Sequence, residues 1–369
     1  MAEDVNPEYW EECSNLQLQK HALIRCYLGG WYPKLASWAG RVLYADTHAG
    51  RGKHSSGELG SPLVALDTLI SHSHRDRLLE RCEFFFLFIE ADQKNVELLK
   101  EEIKTRTPLP KRIVLQVIAG DCFGALKSLL ETIRERKSQL APAFIFVDPY
   151  GFKVPGSLLR ELMAAGRVEL FVNVIWRELD MAIAQAKAGV QKAAAGLAAT
   201  LDQVFDGPEW RSRIDSMDFD MRSDQAVDLL REKVGATWST SIRMLGDNGN
   251  TRYLLAHFTN SDDGRDLMKD CIWKVCPDGG YYVRKWDDAS QGTLIKPEPD
   301  IEPVRTWILD RLRQGPKRWE ALESDLRSEI WRTTHLNQVI RTLRHEGLIV
   351  GEDYQGRFGR PANPILRLP

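Results

Sequence analysis

Apolar runs that end in a carboxylate recur along the first half of the chain, and they constrain its fold more than any other feature. RVLYAD (41–46), FFFLFIEAD (84–92), RIVLQVIAGDC (112–122) and AFIFVDPYG (143–151) each carry strand-forming residues into an acid, and VELFVNVIW (168–176) follows as a fifth run. Between them lie stretches of helical period, QKNVELLKEEIKTR after the second and FGALKSLLETIRERK after the third. A helix is also predicted over 16–39, where Leu23, Ile24, Tyr27, Leu28 and Trp31 recur at helical spacing. Another is predicted from Ser61-Pro62, with the serine as N-cap and the proline at the first helical position. Buried strands alternating with helices imply a parallel sheet covered on both faces.

The pattern then changes. Residues 181–235 read as helical and alanine-rich, and TWSTSIRML (237–245) and TRYLLAHFT (251–259) flank GDNGN, a turn suited to an antiparallel hairpin. A helix is predicted again over 261–275. A mostly parallel α/β sheet closed by one hairpin matches the Rossmann-like sheet of class I methyltransferases, whose seventh strand runs antiparallel between the fifth and sixth. The expected organisation is such a domain over 1–285, with a helical insertion at about 180–235, a proline-bearing linker over 286–302 and a compact unit over 303–369.

Composition excludes several classes. No apolar run approaches the roughly 20 residues of a membrane span, and the acidic start, MAEDVNPEYWEEC, has no apolar leader core, so a cytoplasmic protein is expected. The six cysteines include no CxxC pair and no His cluster completes a zinc set, so neither a metal nor a disulfide framework is expected. A formal net charge of −2 argues against a protein that coats nucleic acid non-specifically, though not against a local basic face.

In an open parallel sheet, ligands gather outside the carboxyl ends of the strands. The first strand ends at Asp46 and runs into Ala49-Gly50-Arg51-Gly52; the next three end at Glu90, Asp121 (followed by Cys122) and Asp148. Gly50 and Gly52 would let a backbone approach a ligand closely, but the loop fits neither the dinucleotide fingerprint nor a phosphate loop. A carboxylate on the second strand suits a ribose diol, and one on the third suits an adenine amino group. A nucleoside without phosphate needs acidic contacts, and S-adenosylmethionine, with its sulfonium, is such a ligand; Asp46 would lie nearest its charge. The plainer reading of each acid is a helix N-cap or a loop charge. That reading suits Asp92 better, serves Asp121 equally and suits Glu90 worse.

The turn Asp148-Pro149-Tyr150-Gly151 carries the proposed chemistry. An Asp-Pro-aromatic turn after the fourth strand is the signature position of amino-methyltransferases. A conjugated exocyclic amine is a poor nucleophile until its lone pair leaves the ring; Asp148 and the Pro149 carbonyl can accept from its two N–H bonds. Tyr150 offers a face on which a base can stack. The alternative is a rigid corner whose Asp148 caps the next helix.

Five segments, LYADTHAGRGKHSSGELGSPLVAL, FLFIEADQKNVELL, AGDCF, FIFVDPYGF and YLLAHFTNSDDGRDLMKDCIWKV, resemble in order the motifs of the three-Cys-motif partner protein family and cover roughly residues 16–285. DPYG is also similar to the Asp-Pro-Phe/Tyr-Gly turn of tRNA guanine-N2 dimethyltransferases. The family resemblance implies a class I methyltransferase-like fold and a partner, a phage-type protein that carries the three-cysteine motif. The family's usual Phe-Ala-Gly-Pro-Gly stands here as His48-Ala49-Gly50-Arg51-Gly52, which adds His48 and Arg51 to the substrate side. Lys20 and His21, on the first helix, read as packing and solvated charge.

The C-terminal unit reads as three helices and a two-stranded wing, resembling a winged helix. Its third helix, RTTHLNQVIRTLRH, holds no acid and is expected to present Asn337, Gln338, Arg341 and Arg344, with Arg357 on the wing loop. Residues 300–369 carry twelve Lys/Arg against ten Asp/Glu, so binding to nucleic acid and to protein remain equal readings. For the whole chain the leading function is S-adenosylmethionine-dependent methylation of an amino group on a nucleic-acid base. The alternatives are a non-catalytic, methyltransferase-like specificity subunit and a DNA-binding regulator.

Overall fold

The computed structural model describes residues 10–11, 13–189, 194–246, 250–276, 281–283, 300–352, 356, 358–359 and 362–369. Arg357, most of the expected linker and the centre of the GDNGN turn lie outside the described residues. The chain forms two compact units, Met1–Cys271 with Tyr281–Gly292, and Ile272–Gly280 with Thr293–Pro369.

The first unit opens with α1 (Asn15–Ala36), followed by β1 (Arg41–Asp46), α2 (Ser61–Ile70), α3 (Arg75–Arg81), β2 (Glu83–Glu90), α4 (Gln93–Lys104), β3 (Ile113–Ala119) and α5 (Cys122–Glu135). Next come β4 (Leu140–Val147), α6 (Gly156–Ala164), β5 (Gly166–Val174) and the helical stretch α7 (Trp176–Ala188), α8 (Ala194–Val204), α9 (Trp210–Arg213) and α10 (Phe219–Val234). The hairpin β6 (Trp238–Leu245) and β7 (Thr251–Thr259), then α11 (Asp262–Val275) and β8 (Tyr281–Val283), complete the series. The strand order is β3-β2-β1-β4-β5-β7-β6-β8. Strands β1 to β5 pair in parallel and β7 runs antiparallel between β5 and β6, the Rossmann-like methyltransferase arrangement expected from the sequence.

The sheet is apolar where it is central. The last five residues of β4 and the last seven of β5 are buried; α6 packs on β5, and alternate residues of both strands join one core cluster with residues of α6, α7 and α10. β3 departs from the expectation of a buried strand: it forms the sheet edge, and most of it is half-buried or exposed. Ser61 is likewise the first helical residue and not the N-cap of α2, a position that Gly60 holds.

α1 lies against the sheet through an apolar face that includes Leu23, Ile24, Tyr27, Leu28 and Trp31. Its first turn is closed by a capping box in which Ser14 and Gln17 exchange bonds with each other's backbone. Beneath it lies a buried carboxylate, Glu169, in the middle of β5. Glu169 accepts from the Tyr27 hydroxyl and from Trp31 Nε1 at 3.2 Å, and stands 2.8 Å from His257 Nε2 on β7. A buried acid so fully engaged joins α1, β5 and β7 at one point.

The second unit holds α12 (Glu302–Arg313), β9 (Lys317–Arg318), α13 (Trp319–Leu326), α14 (Thr333–His345), β10 (Val350–Glu352) and β11 (Ile365–Arg367). Its core joins Val304, Ile308 and Leu312 to Leu322 and Leu326 and to Leu336, Val339, Ile340 and Leu343. The expected pair of strands is joined by β9, giving an antiparallel order β10-β11-β9. On α14, Gln338 and Arg341 are exposed and Arg344 half-buried, but Asn337 is turned inward, where its Oδ1 accepts from Trp319 Nε1 at 2.8 Å. Asn337 is therefore corrected from a surface reader to a packing contact.

Replacing Glu169 by Ala leaves three buried polar groups without their partner, and it should cost about 3–5 kcal/mol of stability. Urea unfolding of the variant would show a lowered midpoint with an unchanged slope; an unchanged midpoint would mean the cluster is energetically idle.

Candidate active site at the carboxyl ends of the strands

The strand order sets β1 between β2 and β4, so the chain diverges to the two sides at its carboxyl end. Asp46 pairs in register with Phe88 and Phe146, which places Glu90 and Asp148 two residues beyond it on either side. A cleft of about 760 Å³ opens at this end. Among its lining residues are His48 and Ala49 from the β1 loop, Asp148, Pro149 and Tyr150 after β4, and Lys20 on α1. Asp46, Glu90, Asp121, Cys122, Gly50, Gly52 and Arg51 do not line it.

The loop after β1 is stitched across its neighbours. Thr47 N–H donates to the Phe146 carbonyl at 3.0 Å and Ala49 N–H to that of Ile89 at 2.9 Å. Glu90, almost wholly buried, accepts from Gly50 N–H at 2.7 Å and from Asp92 N–H at 2.9 Å, one bond to each oxygen. Gly50 and Gly52 take φ of 62° and 82°, conformations that side chains disfavour. The room they leave is filled by protein: a Cβ on Gly50 would fall 2.3 Å from the Trp10 ring and one on Gly52 would fall 2.6 Å from Leu99. Arg51 is drawn the same way, its guanidinium 4.7 Å from the centre of the Trp10 ring.

Asp121 caps α5, accepting from Gly124 N–H at 2.7 Å, and Asp92 caps α4 in the same way. Cys122 Sγ lies 3.5 Å from His48 Nε2, while His48 Nδ1 lies 2.8 Å from Thr47 Oγ1. Burial, reinforced by the charge of Asp121, pushes the Cys122 thiol up to about 12, so it remains a thiol. Burial also lowers His48 and keeps its imidazole neutral.

Asp148 does not cap α6, whose N-cap is Pro155. Its Oδ2 forms a buried ion pair with Lys20 Nζ, and its Oδ1 accepts from Asn173 Nδ2 at 2.6 Å. Burial would raise this acid, but the Lys20 ammonium and the Asn173 amide together outweigh it and hold the carboxyl below its usual range. Lys20 is thus corrected from a solvated charge to a buried partner of Asp148. His21 is also buried, and burial followed by the Lys20 charge pushes it down to about 3. The signal for Lys20 was present in the sequence, since it falls four residues after Leu16 and four before Ile24, on the apolar stripe of α1. Asn173 likewise stood alone as an amide within an apolar strand.

Asp46 has the opposite environment. It is fully buried, with Tyr44 Oη and His48 N–H each 3.3 Å from one of its oxygens. Burial, helped by the nearby charge of Asp148 and opposed by the Ser61 hydroxyl, raises it to about 7.

No family model and no curated protein matches this chain. Among solved structures, it is similar to protein LPL1258 of Legionella pneumophila (14% identity, 67% of this chain and 85% of that one, TM-score 0.38). It is similar also to a SAM-dependent methyltransferase of Agrobacterium tumefaciens (14%, 63% and 61%, 0.31) and to the magnesium protoporphyrin IX methyltransferase of Synechocystis (8%, 67% and 89%, 0.30). The likeness is one of fold.

Asp46 binds its proton more tightly folded than unfolded, so its contribution to stability is whole below its unfolded pKa of about 3.9 and is lost as pH rises towards 7. Asp46→Asn should match the native protein near pH 4 and exceed it at pH 8 by up to about 4 kcal/mol. Urea unfolding at both pH values checks this; equal differences at the two would refute it.

Proposed function

We propose that this chain is an S-adenosylmethionine-dependent methyltransferase acting on an amino group, that of a nucleic-acid base. The observation that carries the reading is Asp148: a carboxylate at the end of the fourth strand of a methyltransferase-type sheet, kept ionised by a buried lysine and bordering a cleft.

The cleft at the strand ends has room for a nucleoside. The cleft volume of about 760 Å³ falls in the range of roughly 300–1,000 Å³ usual for small-ligand sites. Glu90, which does not line the cleft, acts through the β1 loop: its oxygens accept from Gly50 and Asp92 N–H and so fix the loop that carries His48 and Ala49 to the cleft. When bound, S-adenosylmethionine supplies an electrophilic methyl group.

The chain's own residues do the rest. Asp148 and the Pro149 carbonyl accept from the amine and draw its lone pair out of conjugation. As the nitrogen gains a bond and positive charge, the carboxylate stabilises it more strongly than it does the neutral amine, which is the condition for acceleration. Neutral His48, on the same cleft, is able to receive the departing proton. Tyr150, 55% exposed beside the cleft, offers its ring to the base. Exposed Gln338 and Arg341 on α14, in a unit that resembles a winged helix, supply a second contact to nucleic acid. By the same family resemblance the working assembly includes the phage-type three-cysteine-motif protein.

One observation favours the alternative of a non-catalytic specificity subunit: the Trp10 ring lies against Gly50, on the loop where a nucleoside would approach. Calorimetry with S-adenosylmethionine and its demethylated product separates the two. Binding is expected, and Glu90→Ala should weaken it at least about tenfold. Asp148→Ala should leave cofactor affinity intact yet reduce tritiated methyl transfer onto total DNA or RNA by about a hundredfold or more. Absence of binding heat with either ligand would leave the specificity-subunit reading.

A further inference from the structure

A carboxylate can receive hydrogen bonds from a substrate only while it stays ionised, and at the end of β4 burial works against that. From α1, Lys20 and His21 face Asp148; from β1 and its loop, Tyr44, Asp46 and His48; from β5, Asn173. Of these, Lys20 is the cation in contact with the carboxylate, and its side chain is 5% exposed. An ammonium buried to that degree is kept in place by its partner, and it fixes the partner in return. Asn173 acts on the other oxygen: with Nδ2 donating to Asp148, each carboxylate oxygen holds one protein donor, and both donors border the same cleft. Each oxygen retains an acceptor site, and neither carries a proton to give.

We propose that Lys20, with Asn173, is a positioning residue that makes Asp148 a permanent hydrogen-bond acceptor, so that the cleft admits a neutral N–H donor and rejects an oxo group at the same place. The proposal rests on the reading of the cleft as the acceptor site of a methyl transfer, and it adds the device that sets selectivity there. Loss of the lysine removes the largest influence that offsets burial and the neighbouring Asp46, and leaves the Asn173 amide and, after it, His48 to hold the acid ionised. Asp148 then takes up a proton, can donate to an oxo group, and loses its discrimination. Because protonation reverses at higher pH, discrimination should return as pH rises. The native protein has no such dependence in Asp148.

Cytidine and 3-methyluridine present amino against oxo at C4, the methyl group removing the N3–H that uridine itself would offer to an acceptor, and they serve as probes. Their binding is measured by saturation-transfer NMR on the full chain with S-adenosylhomocysteine present in excess, at pH 6 and pH 8. The native protein should favour cytidine by about tenfold or more at both pH values. Lys20→Met should lose that preference at pH 6 and regain part of it at pH 8, while Lys20→Arg, which keeps the charge, should retain it. Asp46→Asn, run alongside, removes the other acid that titrates in this window. No preference in the native protein, no binding of either nucleoside, or a preference unaltered in Lys20→Met overturns the proposal, and the first two need no variant to fold. A cytidine preference that is lost in Lys20→Met at pH 6, in a protein that does not bind S-adenosylhomocysteine, would sustain the lysine's role and remove the methyltransferase reading. The reverse pattern would do the opposite.

Discussion

The open end of the sheet is organised around one lysine ammonium set against a buried carboxylate. Lys20 enters from a helix that precedes every strand in the chain, and it can meet Asp148 only if α1 lies across the end of β4. A second buried acid, Glu169, holds the same helix further along through Tyr27 and Trp31. Two anchors on one helix fix both its position and its rotation. Buried ion pairs contribute little net stability, because desolvation offsets most of their attraction. Their effect here is geometric: the wall of the cleft and the charge state of its floor are set by the same contact.

That contact also separates two acids whose strand ends are neighbours. Asp46 and Asp148 are both deeply placed and feel each other's charge. Asp148 has a lysine and an amide and stays ionised; Asp46 has hydroxyls and a backbone N–H, and is raised to about 7. Neighbouring carboxyls that diverge in this way take different parts, one serving as a fixed negative charge and the other as a carrier of a proton near neutrality. The fixed charge faces the cleft, while the proton carrier lies beneath it, under the loop that bears His48.

Most of the architecture was legible because strand and helix periods are local. The five runs and the hairpin led to the strand order, and the carboxylates located the ligand end. What could not be read was the direction of each side chain once packed. Lys20 lies on an apolar stripe, yet a lysine there is usually one that reaches out to water along its stem. Only the position of α1 against β4 reveals the partner. The half-exposure of β3 follows from its place at the edge, which the run itself does not encode. Asn337 turned inward because Trp319, on a different helix, needed an acceptor for its indole N–H.

The glycines of the β1 loop show how a correct observation can carry the wrong inference. Gly50 and Gly52 do adopt left-handed conformations, but the space they leave is taken by Trp10, Leu63 and Leu99. Their presence therefore speaks for packing, and the case for a ligand has to rest on unspent bonding capacity. That capacity is one-sided. Asp148, on the cleft, holds two donors from within the protein and retains further acceptor sites. Acceptors fixed by protein donors on one side leave their open side to groups that are positive or bear N–H and O–H bonds. A nucleoside cation and an amine meet that description, whereas a phosphate would face the same oxygens with its own negative charge.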